Sequence, residues 1–189
     1  MSTHFRFVLR QASQDRHDTL DAEISSLSFD DVDDYARFLS LHHLCFAALD
    51  RGIPKGDRSA DLLADLQALI RADLAALDHD MPDIGTPDLG SLDPLAVRYV
   101  VDGSRLGSRV LVKRWASACS GRTADAGQYL SHETSPDSWR ATCDALGEIS
   151  PESDRATRII ADVARIFDMF TVVLNTLKKN AAKGVMAAQ

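Results

Sequence analysis

The sequence predicts an all-α fold built as a single domain. Apolar residues recur at helical spacing along almost the whole chain, and no run of alternating β-branched residues is bounded by tight turns. A length of 189 residues suits one large domain with a substantial core. Because no repeat of fixed period and no shift in composition marks a boundary, we expect residues 1–189 to form one domain of about six substantial helices.

The first three predicted helices lie in the N-terminal half of the chain. The first covers about 3–24, and the second begins after Asp31, whose carboxylate suits a helix start, and ends at Gly52. A third helix is predicted to be capped by Ser59. It stops before a cluster of prolines and glycines over 82–90, which predicts the longest loop.

Three later helices each begin at a capping side chain followed by proline, a pair that favours the first turn of a helix. The pairs are Asp93 with Pro94, Ser135 with Pro136, and Ser150 with Pro151. They predict a long helix toward Gly121, a shorter helix that carries Trp139, and an apolar last helix. A short helical segment is predicted around 126–131, and the tail over 180–189 is expected to fray.

Charge and composition exclude several classes of protein. The chain carries 28 acidic and 21 basic residues, and its net charge of -7 has the wrong sign for a surface that follows a phosphate backbone. No window reaches the roughly 18 apolar residues of a membrane span, and the N-terminal segment lacks the apolar core of a secretion signal. The cysteines, which lack a close pairing motif and are expected to be reduced, are Cys45, Cys119 and Cys143. We therefore expect a cytoplasmic protein with no nucleic-acid or membrane partner.

His17 is the first candidate functional residue. The positions at helical spacing from it are mostly apolar: Leu9, Ser13, Leu20 and Ile24. The side chain of His17 is therefore expected to point inward. It is either a core histidine bonded to a carbonyl or carboxylate, or an axial ligand of a haem iron. His42 and His43 have no second ligand at helical spacing, so core and surface roles suffice for them.

A pair of glycines interrupts the long predicted helix. Gly103 and Gly107 each cost about 1 kcal/mol relative to alanine inside a helix, so a compensating gain is expected. Since they lie four residues apart, they remove the side chains from one patch of the helix. The patch allows either a close helix crossing or a flat ligand lying against the backbone, with the hydroxyls of Ser104 and Ser108 nearby.

The same helix carries a local excess of positive charge. Over 92–114 there are two acidic residues and five basic ones: Arg98, Arg105, Arg109, Lys113 and Arg114. Spacings of seven and four residues place Arg98, Arg105 and Arg109 on one side of the helix. This side is either a solvated basic face or a surface that recognises carboxylates or an acidic partner.

Two patterns in the sequence together resemble a known family. The first lies along the first helix and consists of Leu9, Arg10, His17, Leu20 and Asp21. The second is YVVDGSRLGSRVL, over 99–111. In order and spacing, the first is similar to the proximal helix and the second to the distal helix of the bacterial haem oxygenases, particularly the branch associated with bacteriophytochromes. The chain is also similar to that family in length and in its all-helical character.

The resemblance implies a fold, a reaction and partners. The fold is a multi-helix bundle in which haem lies between a proximal and a distal helix. The reaction cleaves haem to biliverdin, carbon monoxide and ferrous iron, and it consumes dioxygen and electrons from an external donor such as ferredoxin or another reductase. A bacteriophytochrome is the acceptor of biliverdin that the resemblance suggests.

The resemblance also implies roles for residues near the iron. His17 is implied to be the proximal ligand, while Gly103 and Gly107 let the distal helix approach the opposite face of the haem. Ser104 and Asp102, with ordered water, are implied to deliver protons. In the animal-type enzymes an aspartate directly follows the first distal glycine; Ser104 stands there in this chain, cannot ionise, and would have to act through water.

The other implied haem contacts are Arg10, Arg98, Ser108, Phe167 and Phe170. Arg10 and Arg98 are the candidates to bind the propionates, ahead of Lys178 and Lys179.

Two other functions stay open. The same helical fold can bind haem or another ligand without turning it over. A helical thiamin-degrading enzyme of related shape is a third interpretation, which is disfavoured because none of the three cysteines lies beside a histidine or in a signature sequence.

Overall fold

The computed structural model describes residues 4–187, with side chains for residues 4–182. This part of the chain contains eight helices and no strand. The helices are α1 (Phe5–Ser25), α2 (Val32–Gly52), α3 (Ser59–Ala76), α4 (Pro94–Ala118), α5 (Arg122–Asp125), α6 (Gln128–Ser131), α7 (Pro136–Gly147) and α8 (Asp154–Ala187). Six of them are long and two are single turns. The prediction of an all-α chain with about six substantial helices is confirmed.

The core is organised around α2 and α8. α2 packs against α3 and α8, while α8 also contacts α1 and α4. The buried apolar residues of all these helices join in one continuous cluster, so the described helices form a single domain. The largest fully buried aromatic side chains are Phe5, Phe29, Tyr35, Phe38 and Phe46.

Three of the predicted helix starts have the expected caps, because the cap depends only on residues two or three positions apart. The capping acceptors and the N–H groups that donate to them are Asp31 with Asp34, Asp93 with Leu95, and Ser135 with Asp137.

Two predicted caps are wrong. Ser59 is the first residue of α3 and does not cap it; the carboxylate of Asp57 accepts the N–H of Ser59 at 2.9 Å, and an ionised acceptor makes the stronger bond. The last helix begins later than the signal at Ser150, because a turn intervenes. Ser153 supplies the cap, and its hydroxyl oxygen accepts the N–H of Ala156 at 3.1 Å.

The described residues leave out both ends of the chain. The predicted start of the first helix near Thr3 lies outside the described residues, and α1 begins at Phe5. The fraying expected over 180–189 stays a prediction; the backbone of α8 is helical as far as Ala187. Residues 188–189 lie outside the described chain.

The described residues include all three cysteines and the six long helices. Cys45, Cys119 and Cys143 are all free thiols, and Cys45 is buried. Within the described helices, none has a stretch long and apolar enough to cross a bilayer.

Candidate functional site

The two helices that carry the candidate residues share their neighbours. α1 packs along α8 and touches α7, while α4 packs against both α7 and α8. The candidate residues of α1 and α4 therefore flank the same pair of helices.

His17 lies at the edge of the buried stripe of α1. Its side chain is 58% exposed, so the prediction that it points inward is wrong. The buried residues of α1 are Phe5, Leu9, Ser13, Leu20 and Ile24. The centre of this stripe is about 60° around the helix from His17, which explains how a residue with apolar neighbours at helical spacing still reaches solvent.

The contacts of His17 suit a histidine that coordinates through Nε2. Its Nδ1 lies 3.2 Å from Oδ1 of Asp18, and its ring meets the edge of Phe167 with 6.0 Å between centroids. Hydrogen bonds from Gln14 and then from His17 lower the pKa of Asp18, which keeps this carboxylate an acceptor. When Nδ1–H donates to a carboxylate, the tautomer is fixed and the lone pair is on Nε2. Asp18 was not among the candidates from sequence, although it directly follows His17.

Ion pairs occupy one side of the seam between α1 and α8, and His17 lies on the other side. Arg16 bonds Asp168 at 2.9 Å, and Lys178 bonds Glu23, so the ammonium of Lys178 is already engaged. Arg10 precedes His17 by seven residues and shares its flank of α1, about 10 Å away along the helix axis. Its guanidinium is exposed and forms no hydrogen bond within residues 4–182.

The two glycines of α4 have different surroundings. A Cβ atom at Gly107 would meet nothing within 4 Å, whereas one at Gly103 would touch the ring of Trp139 on α7 at 3.5 Å. No neighbouring helix in the described chain is therefore so close that it requires glycine at either position. The bare patch is therefore open at Gly107 and covered at Gly103.

The face of α4 that carries Gly107 also carries Arg114. Arg114 follows Gly107 by seven residues and lies on the same face. Its guanidinium donates to the carbonyl of Leu27 and lies 4.6 Å from the ring centroid of Phe29, both in the connection between α1 and α2. Gly107 thus shares a face of α4 with Arg114, whose side chain reaches the connection between α1 and α2.

Asp102 and Arg98 lie on the other side of α4. Asp102 is 5% exposed, and its carboxylate accepts hydrogen bonds from Ser138 at 2.9 Å and Thr142 at 2.7 Å. Nine residues separate Arg98 from Gly107, which places them about 180° apart around the helix. Asp102 and Arg98 therefore lie on a side of α4 away from Gly107, and Asp102 fastens α4 to α7.

Arg105 is a buried tie between α4 and α6. Its guanidinium donates to the carbonyls of Tyr129, at 3.2 Å, and His132, and it lies 5.1 Å from the Tyr129 ring centroid. The interpretation of Arg98, Arg105 and Arg109 as one solvated basic face is wrong, because Arg105 is 6% exposed and donates to two backbone carbonyls. Arg98 is half-buried, and only Arg109 is exposed.

The two serines of the motif bond within α4. The hydroxyl of Ser104 donates to the carbonyl of Val101 at 2.8 Å, and that of Ser108 donates to the carbonyl of Arg105 at 2.6 Å. Ser108 is buried, whereas Ser104 is exposed one turn before Gly107. A hydroxyl that donates to the backbone keeps its lone pairs for water.

His42 occupies an aromatic pocket in the core, which is one of the two roles expected for the histidines of α2. Its Nδ1 lies 2.8 Å from the carbonyl of Phe38, which accepts the N–H. The rings around it belong to Phe38, Phe46, Tyr129 and Phe170. Burial lowers the pKa of His42 to about 4, so its imidazole is neutral. Phe170 therefore contacts this pocket, while Phe167 contacts His17.

We expect His42 to remove about 2 kcal/mol from the free energy of unfolding between pH 7 and pH 5. Its pKa rises from about 4 in the folded protein to about 6.5 on unfolding, so the unfolded state binds the extra proton as the pH falls. Urea unfolding at both pH values, for the protein and for His42→Phe, measures the difference. Burial raises the pKa of Asp73 and opposes this trend, so only the comparison of the two proteins isolates His42. Equal slopes with pH would contradict the prediction.

A haem iron needs fewer protein ligands than a bare metal ion, because the porphyrin supplies four of its ligands. Among the described residues, no group of three or more histidine, cysteine or acidic side chains could hold a metal ion. A haem iron needs one axial imidazole, and the exposed His17 with its carboxylate partner fits that requirement. The open patch at Gly107 and the unpaired Arg10 also fit, whereas Arg98 and Asp102 lie on another side of α4 and Ser108 is buried.

When the sequence is compared with protein-family models, none matches, and no curated protein matches it either. The resemblance to haem oxygenases therefore depends on the two patterns carried by α1 and α4.

Proposed function

We propose that the protein is a haem oxygenase that binds haem between α1 and α4. The observation that carries the proposal is the accessible imidazole of His17, held by Asp18 on the helix with the first pattern, while the second pattern leaves Gly107 uncovered on α4. The haem supplies the redox-active iron and the carbon skeleton that is oxidised, with dioxygen and electrons from ferredoxin or another reductase. The products are biliverdin, carbon monoxide and ferrous iron, and a bacteriophytochrome is the acceptor that the family suggests.

The chain's own residues have separate roles in this proposal. His17 Nε2 holds the iron, and Asp18 keeps the ring in the tautomer that leaves Nε2 free. Gly107 lets the backbone of α4 lie close to the haem plane. Arg10 binds a propionate through a charge-assisted hydrogen bond, since its distance along α1 from His17 is comparable to that between the iron and a propionate. Ser104 holds water near Gly107 and passes protons through it.

His17→Ala is expected to abolish the native ferric haem spectrum, because it removes the axial nitrogen, and added imidazole is expected to restore it. The measurement is an absorption titration with haemin followed by ascorbate, which also records loss of the Soret band and growth of biliverdin. His4→Ala is the matched control, since His4 is exposed at the start of the same helix. An unchanged spectrum in His17→Ala would show that another residue is the ligand.

A haem-binding protein without turnover is the second candidate. It is favoured by the two candidate proton donors of the motif, since Asp102 is directed to α7 and Ser104 cannot ionise. The two functions differ in one measurement: with reductant and dioxygen, a binding protein keeps its Soret band and forms no biliverdin. A thiamin-degrading enzyme would need a nucleophilic cysteine. Cys45 is a poor candidate, because burial raises the pKa of its thiol and disfavours the thiolate.

A further inference from the structure

A second candidate site lies on the side of α4 opposite Gly107. A cavity of about 340 Å³ lies where the start of α3, the middle of α4 and the first turns of α7 meet. Its apolar wall consists of Leu62, Val101 and Ala141. This volume falls within the range of small-ligand pockets.

The polar wall of the cavity has a surplus of hydrogen-bond donors. Arg58 is exposed, lines the cavity, and donates no hydrogen bond within residues 4–182. Arg98 donates through Nε to the carbonyl of Pro94 at 3.3 Å, and its Nη2 forms a long ion pair with Oδ2 of Asp57 at 3.9 Å. Ser59 is 6% exposed, and its hydroxyl has no partner among the described residues. Buried hydroxyl groups in native proteins are normally bonded, so this one needs an explanation.

The acceptors near the cavity are already engaged. Asp102 accepts the hydroxyls of Ser138 and Thr142, and Asp137 accepts from Arg140 at 2.7 Å. Oδ1 of Asp57 accepts the N–H of Ser59, and its Oδ2 forms an ion pair with Arg98, so the donors left without an acceptor among residues 4–182 are the Arg58 guanidinium and the Ser59 hydroxyl. A ligand that satisfies them must supply acceptor oxygens.

We propose that this cavity binds a small oxyanion, the phosphate or carboxylate group of a metabolite, between Arg58 and Arg98. Guanidinium groups make charge-assisted, bidentate hydrogen bonds to such groups, and the Ser59 hydroxyl donates a further bond. Ser59 is also the first residue of the 18-residue helix α3, whose N-terminus favours negative charge. The site is independent of haem, because it lies across α4 from Gly107.

The test is thermal unfolding of the haem-free full chain with inorganic phosphate and, separately, with acetate, at constant ionic strength. A bound anion raises Tm in a saturable way, because it binds only the folded state. Arg58→Gln breaks no hydrogen bond among residues 4–182 and is expected to weaken the apparent affinity about tenfold or more. Ser59→Ala is expected to weaken it by a smaller factor. Arg109→Gln is the control with the same charge change, since Arg109 lies three turns of α4 beyond Arg98.

The outcomes separate the oxyanion classes and the two proposals of function. A saturable response to phosphate alone or to acetate alone identifies the group that the cavity accepts, and both results support the site. A rise in Tm that is linear, or equal in the protein, Arg58→Gln and Arg109→Gln, overturns it, as does no rise with either anion. His17→Ala is expected to keep the full response, so failure of haem turnover does not affect this result.

Discussion

Replacing Gly107 by leucine is expected to leave the fold intact and to lower the yield of biliverdin per haem roughly a hundredfold. The structure has nothing within 4 Å of a Cβ at this position, so the leucine side chain enters open space on the proposed haem face of α4. Since leucine has the higher helix propensity, the free energy of unfolding is expected to rise by up to about 1 kcal/mol. The measurement is biliverdin formed per haem with ascorbate as reductant, together with a melting curve.

Two matched variants make the Gly107 result specific. Arg109→Leu places the same side chain at an exposed position on a different side of α4 and is expected to keep turnover. Gly103→Ala adds a methyl group against Trp139 at an ordinary contact distance, so it tests packing against α7 instead of haem access. Normal biliverdin formation by Gly107→Leu would remove α4 from the proposed site, whereas loss of turnover in all three variants would point to a general effect on the helix.

Replacing Asp73 by alanine is expected to lower the free energy of unfolding by about 4 kcal/mol. Asp73 is completely buried, and its two carboxylate oxygens accept the backbone N–H groups of Gln128 at 2.9 Å and Tyr129 at 2.8 Å. Alanine leaves both donors buried without an acceptor, at the start of the single-turn helix α6. Because α6 carries Tyr129, which also holds Arg105 and contacts His42, the loss is expected to spread into the core.

Urea unfolding of Asp73→Ala, Asp73→Asn and Asp65→Ala measures this effect. Asparagine keeps one carbonyl oxygen as an acceptor, so it is expected to cost about half as much as alanine. Asp65 is an exposed aspartate on the same helix, and its replacement is expected to change the free energy of unfolding by less than about 0.5 kcal/mol. A cost below about 1 kcal/mol for Asp73→Ala would show that α6 does not depend on this carboxylate.

The sequence alone determines the helices and several of their starts, because these depend on interactions within one or two turns. The caps at Asp31, Asp93 and Ser135 join residues that are close in the chain, and the periodicity of apolar residues identifies the long helices. The same local patterns select His17 and the glycine pair as candidates. Whether the candidates share a site is a different question.

The tertiary structure decides which candidates face the same region, because burial depends on contacts between residues far apart in sequence. Arg105 has the spacing of a basic face, yet carbonyls 24 and 27 residues away accept its hydrogen bonds and bury it. Asp102 lies within the family-like motif, yet hydroxyls 36 and 40 residues away turn it toward α7. A departure of about 60° from the centre of the buried stripe exposes His17, and helical spacing alone does not resolve so small an angle until α8 is in place.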